Sequence, residues 1–249
     1  LVSAFRGVPI RLIIDTTKLG FNARLLMVSI GYRRRALPLA WSVHRGKTGW
    51  VTTQKHIALL RQVAELIPAE SEVWLLGDCE FQHVPLLSWL KVQGWHYVLR
   101  QQGRVKVWQP GRAQVSLASF GLKEGETRYL GWVRLAAQYH YGPVSMVLHW
   151  EEGEDKPWYL ATDQAANGFT IQTYRKRMWI EELYGDLKGH GFDLEATYMR
   201  DPDRLSRLVL GVCLVYVWLL SLGSWVVKNG KRHLVDRKDR RDKSYFRLG

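Results

Sequence analysis

Val73–Asp78, VWLLGD, is a compact apolar run closed by a glycine and an acid. A run of that length reads as a strand buried on both faces, with the acid at its C-terminal end. Arg11–Asp15, RLIID, repeats the pattern earlier in the chain. Between them, Ala23–Ile30 and Ala36–Val43 alternate or run apolar, and Gly31 to Arg35 can turn, which predicts a hairpin. Thr53–Ile67 carries Ile57, Leu60, Ala64 and Ile67 as a helical stripe. Beyond Asp78, Val84–Val92 reads as a helix and Trp95–Leu99 as a strand. Three meandering strands followed by alternating helices and strands predict an α/β mixed sheet with flanking helices.

The character changes after Gly103. Val105–Trp108, Thr127–Leu135, Val144–Trp150 and Trp158–Leu160 read as strands between glycine-bearing turns, and Thr170–Leu187 and Arg204–Val227 read as helices. The expected division is a core over residues 1–102, an all-β insertion over 103–162, a helical second part of the core over 163–228, and a basic tail over 229–249. The ribonuclease-H-like fold has the order strand, strand, strand, helix, strand, helix, strand read up to Leu99. The tail is a run of Lys and Arg broken by Asp, which reads equally as a solvated segment or as a DNA contact.

Charge bears on partners more than on fold. A net charge of +13 points to polyanions, either nucleic acid or an anionic membrane. The two cysteines, Cys79 and Cys213, form no C-x-x-C pair, so the expected setting is reducing and cytoplasmic, without a zinc or disulfide framework. The eight histidines show no H-x-x-x-H spacing, and no G-x-x-x-x-G-K-[ST] loop is present. Leu208–Val227 is uncharged and long enough to cross a bilayer. Cys213, Tyr216, Ser221, Ser224 and two glycines dilute it, and the expectation is a buried helix of a protein without a membrane partner. The chain starts at Leu1, so a preceding segment is expected to be missing.

Asp15 and Asp78, each following an apolar run, can share hard divalent cations through oxygen; an Asp there can also merely cap a turn. Tyr174, Arg177, Glu181 and Lys188 are more specific. At roughly 100° per residue they fall within an arc of about 60° on one helix face, and Gly185 on the same stripe would admit a close backbone. Glu181 would then be a third metal-binding acid, Arg177 and Lys188 phosphate clamps, and Tyr174 a hydrogen-bond donor to phosphate or a stacking surface. The alternative is a solvated stripe with an Arg177–Glu181 pair at i, i+4. His83 and His190 could approach such a site. Lys18, Arg33, Arg34, Arg35 and Lys55 could touch phosphate or simply be solvated.

The spacing Y-x2-R-x3-E-x6-K, complete here in YRKRMWIEELYGDLK, resembles the signature of the insertion-sequence-four class of DDE transposases. The resemblance extends to LIIDTT around Asp15, VWLLGDCEF around Asp78, the β-rich segment 103–161 and WYLATD before the helix, and so covers nearly the whole chain. Met178 and Trp179 depart from the family's frequent Trp directly after the arginine. The resemblance implies a ribonuclease-H-like catalytic domain that cleaves and joins DNA. Asp15, Asp78 and Glu181 would bind two Mg²⁺ ions, which Mn²⁺ could replace, and Tyr174, Arg177 and Lys188 would hold DNA. It further implies double-stranded DNA, both element ends and target, as partner, a homodimer on that DNA, and a flipped base held by Trp132, Trp150 or Trp158. A metal nuclease of the same fold, or an inactive DNA-binding remnant, are the competing expectations.

Overall fold

In a computed structural model, which describes residues 7–20, 22–46, 49, 51–136 and 138–249, ten strands form one sheet. The first three make an antiparallel meander: β1 (Ile10–Leu19), β2 (Ala23–Tyr32) and β3 (Arg35–Arg45). Helix α1 (Thr53–Leu66) leads to β4 (Val73–Gly77), and α2 (Val84–Gln93) leads to β5 (His96–Gln101). Strands β1, β4 and β5 are parallel. The order β3-β2-β1-β4-β5 is that of the ribonuclease-H-like fold.

The β-rich segment continues this sheet. β6 (Lys106–Trp108), β7 (Val115–Ser116), β8 (Thr127–Leu135), β9 (Tyr141–His149) and β10 (Trp158–Thr162) complete the order β5-β10-β9-β8-β6-β7. β10, read in sequence as the end of the insertion, pairs antiparallel with β5 and is buried throughout, so it belongs to the core sheet as well.

Alternation along β1 sorts the two faces. Ile10, Leu12 and Ile14 join the core beneath α1 and α2. Ile13 joins the opposite core, built with α3 (Gly168–Arg175), α4 (Trp179–Leu187) and α5 (Pro202–Lys228). Burying one such Leu or Ile fully contributes about 1.5–3 kcal/mol, so losing either face would unfold a domain of ordinary stability.

Several expectations are corrected. β1 does not end at Asp15; it runs on through the polar Thr16, Thr17 and Lys18, because β2 supplies backbone partners as far as Leu19. The helix expected over Thr170–Leu187 is broken by a tight 3₁₀ turn at Lys176–Met178. The helix expected to be buried, α5, buries only one stripe, with Leu205, Val209, Cys213, Tyr216 and Leu220 inward and Leu210, Leu214, Trp218 and Trp225 exposed. The basic tail does not simply trail into solvent. Its end, α6 (Tyr245–Leu248), returns to α5 and buries Phe246 against Phe192 and Tyr216. A Cβ at Gly223 would lie 1.9 Å from the Tyr245 carbonyl oxygen, so only glycine admits that return.

Candidate active site

The parallel register pairs Ile13 with Leu76. Asp15 and Asp78 each stand two residues further on. Asp15, on β1, and Asp78, the first residue after β4, therefore lie at the same end of two adjacent parallel strands, close enough for the charge of one to act on the other. Gly77 clears the approach. A Cβ there would meet Phe81 at 2.9 Å, so the chain can close down on Phe81 and turn at once. Asp78 caps that turn, its Oδ1 accepting from the Glu80 amide at 2.8 Å.

Helix α4 covers this pair. Tyr184, buried, donates to the Asp15 carbonyl at 2.9 Å and fixes the helix to β1 beneath the site. Arg177, in the 3₁₀ turn, holds Glu181 Oε1 at 2.6 Å and lies 3.8 Å from Asp15 Oδ2. Thus a guanidinium sits among the three acids. The ion pair of the solvated-stripe alternative is present, but its arginine is buried and reaches across to the sheet. Lys188 Nζ donates to Thr17 Oγ1 at 2.8 Å and pairs with Glu195 at 3.2 Å. Thr17 shares the face of Asp15 two residues away, so Lys188 borders the same site.

Tyr174, expected to hydrogen-bond phosphate or to stack on DNA, is buried. Its ring is buried against Trp158, 5.2 Å between centroids, with the Arg177 guanidinium 5.9 Å from its centre. The 3₁₀ turn explains the change, since each of its residues adds about 20° more rotation than an α-helical residue. Gly185 makes room for the His190 ring, 2.9 Å from a Cβ built there, and not for a foreign backbone. His83 stands at the N-cap of α2.

Two participants escaped the sequence reading. Arg100 follows Leu99, the partner of Gly77, and so stands level with Asp78 on β5; its charge acts on Asp78. The strand-end logic that selected the acids would have found it had cations been included. Glu80 is buried, accepting from Thr16 Oγ1 and the Val51 amide, both at 2.9 Å, with His56 Nε2 at 3.3 Å. It ties the turn after Asp78 to the strand carrying Asp15 and to α1, and no local pattern signals that role.

The electrostatics suit a divalent cation. Burial, reinforced by Asp78 and Glu181, pushes the Asp15 carboxyl up to about 7 despite the nearby Arg177 and the Thr16 amide. Burial likewise raises Asp78, opposed by the Glu80 amide and Arg177. Three carboxylates supply the hard oxygen donors that Mg²⁺ and Mn²⁺ take. Among the described residues no three His, Cys, Asp or Glu side chains stand in a metal-holding group, Glu181 being turned to Arg177. The Tyr174 hydroxyl and Arg177 Nε are buried donors without a hydrogen-bond partner, which suits an incoming anion.

Residues 20–218 match the family model described as the transposase DDE domain. Asp78, Tyr174, Arg177, Glu181 and Lys188 fall inside that stretch and Asp15 just before it. Among solved structures, a cryo-EM structure of the piggyBac transposase synaptic complex with hairpin DNA superposes with a TM-score of 0.51 at 12% identity. The match covers 96% of this chain and 50% of that one, so the chain spans about half that transposase's length. At this identity the likeness concerns the fold. No curated protein matches the sequence.

Proposed function

The chain belongs to the transposase DDE-domain family, and from that premise we propose that it is the catalytic domain of an insertion-sequence transposase of the insertion-sequence-four class. It cleaves double-stranded DNA at element ends in the cytoplasm and joins those ends to target DNA, with a homodimer as the working unit. The observation that carries this reading is the register that sets Asp15 beside Asp78 under the Arg177–Glu181 pair. A homologous sheet without those acids in register would have no polar centre there.

Asp15, Asp78 and Glu181 would hold two Mg²⁺ ions. When bound, they lower the pKa of an attacking water or 3′-hydroxyl and stabilise the departing oxygen. The remaining work falls to the chain's own side chains. Glu181, about half exposed and paired with Arg177, would turn from that pair to serve as the third ligand. Arg177, released from Glu181 but still beside Asp15, turns its guanidinium to the scissile phosphate. Tyr174 serves as the floor that aims Arg177, and Lys188 neutralises the next phosphate along the strand. Of the three tryptophans considered for holding a flipped base, Trp158 is buried and Trp150 donates to the Glu154 carbonyl, whereas Trp132 is 56% exposed on β8. We assign that task to Trp132.

Nicking and joining on pre-nicked, pre-paired element ends with Mg²⁺ test the reading together. Both activities are expected from the wild-type chain. Nicking without joining would reduce it to a nuclease of the same fold, and neither activity would leave a DNA-binding remnant.

A further inference from the structure

The tip of the β2–β3 hairpin carries a conformational cost that its sequence does not relieve. Tyr32 pairs with Arg35, leaving Arg33 and Arg34 as a two-residue turn. Both have positive φ, 47° and 62°, the pattern of a type I′ turn. That turn favours Asn-Gly, because a side chain with a Cβ is strained in the left-handed region. Two arginines there sacrifice stability and place two guanidinium groups at the outermost point of the hairpin. Strain held at a defined place is a reason to ask what it serves.

The surroundings supply an answer. The tip borders an open pocket of about 660 Å³, closed on the far side by Arg241 and Tyr245 of the C-terminal segment and floored by Trp179. Arg33 lies over the Tyr32 ring at 5.1 Å and Arg241 over the Tyr245 ring at 4.7 Å, so both cations rest on aromatic faces with no carboxylate partner among the described residues. Arg35 takes up the pocket's acid instead, pairing with Glu182 at 3.4 Å and with Asp186 at 3.7 Å. Both acids lie on α4, the helix that carries Glu181. Gly31 lets Trp179 pack on β2, since a Cβ there would already meet the ring at 3.3 Å. The base of the cationic tip is therefore tied to α4 through Arg35 and the Trp179 ring.

Resting on the transposase reading, we infer that this pocket is a second DNA-docking site, a seat for the phosphodiester backbone away from the scissile bond. Asp15 pairs with Met27, and the tip lies six residues further along β2, a span of roughly 20 Å. At about 3.4 Å per nucleotide of one strand, the site would grip the duplex about six base pairs from the cut. Arg33, Arg34 and Arg241 supply the charge. Backbone contacts of this kind position the duplex and read no sequence.

The test replaces the turn by the residues its geometry favours. R33N/R34G relieves the strain while removing both cations, so the variant should melt at the wild-type temperature or above. Its binding to a random duplex, measured without metal over a salt series, should show a log–log salt slope shallower by about 2, and R241Q alone one shallower by about 1. R241Q changes an exposed side chain and checks the result independently of the turn. Wild-type slopes in both variants, with the wild type binding duplex, would overturn the docking site and leave the transposase reading standing. A wild-type chain that binds no duplex would overturn both.

Discussion

The three acids of the site are held in two different ways. Asp15 and Asp78 are fixed by sheet register, with their backbones paired or capped and their carboxyls raised by burial. Glu181 projects from a helix that begins in a 3₁₀ turn, is about half exposed, and is engaged by Arg177 at 2.6 Å. The two aspartates are buried with raised carboxyl pKa values, whereas the helix acid is half exposed and ion-paired. On the proposed reading, Arg177 and Glu181 would be the half of the site that changes partner, and the two aspartates the half that stays in place.

The comparison breaks first at the fixed half. Asp15→Asn and Asp78→Asn would each remove one of the proposed metal ligands. Each should lower Mg²⁺-dependent cleavage by about a thousandfold or more, several kcal/mol of transition-state stabilisation, while duplex binding in a filter or polarisation assay stays within about twofold. Cleavage at the parent rate by either variant would remove that residue from the site.

The adjustable half should fail differently. Arg177→Ala loses the grip on phosphate but no metal ligand. A phosphate misplaced by about an ångström can cost on the order of a hundredfold. The loss should fall mainly on joining, with nicking less affected and metal binding retained, as read from both products on one substrate. Equal loss of both activities would reduce the pair to a structural ion pair.

Protons provide a finer probe. The folded Asp15 pKa of about 7 lies above its ordinary value of 3.8, so the metal-free folded state takes up a proton between these values. The stability that this proton contributes is present at low pH and is lost as pH rises from about 4 through 7. Metal must displace the same proton, so Mg²⁺ affinity by calorimetry should weaken by up to about tenfold per pH unit below 7. In the metal-free protein Asp15→Asn should reduce the loss of stability between about pH 4 and 7, and an unchanged loss would place the titration elsewhere. The smallest effect is expected beneath the site. Tyr184→Phe loses one hydrogen bond to the Asp15 carbonyl and should cost about 1 kcal/mol in denaturant unfolding, with cleavage nearly unchanged.

The frame was legible where chemistry is local. Apolar runs marked the strands bearing Asp15 and Asp78, and the hairpin, α1, α2 and β5 fell close to where periodicity put them. The limits of β1 were not legible, because Thr16, Thr17 and Lys18 are strand residues only by virtue of the partner strand. The burial of Tyr174 was not legible, because its face was extrapolated at 100° per residue through a turn that is wound more tightly. Arg100 and Glu80 were passed over because their roles lie in register and in bonds to residues 20 or more positions distant.

By itself the sequence nominated the side chains of the proposed chemistry and marked most of the strands and helices, since spacing and apolar pattern are local properties of a chain. Tertiary structure alone decided that Asp15 stands beside Asp78, that Arg177 lies between Glu181 and Asp15, and that the C-terminal residues return to close a cationic pocket beside the hairpin tip. Those facts depend on pairing between segments far apart in the chain, where the energy of an arrangement resides in partners that no local pattern specifies.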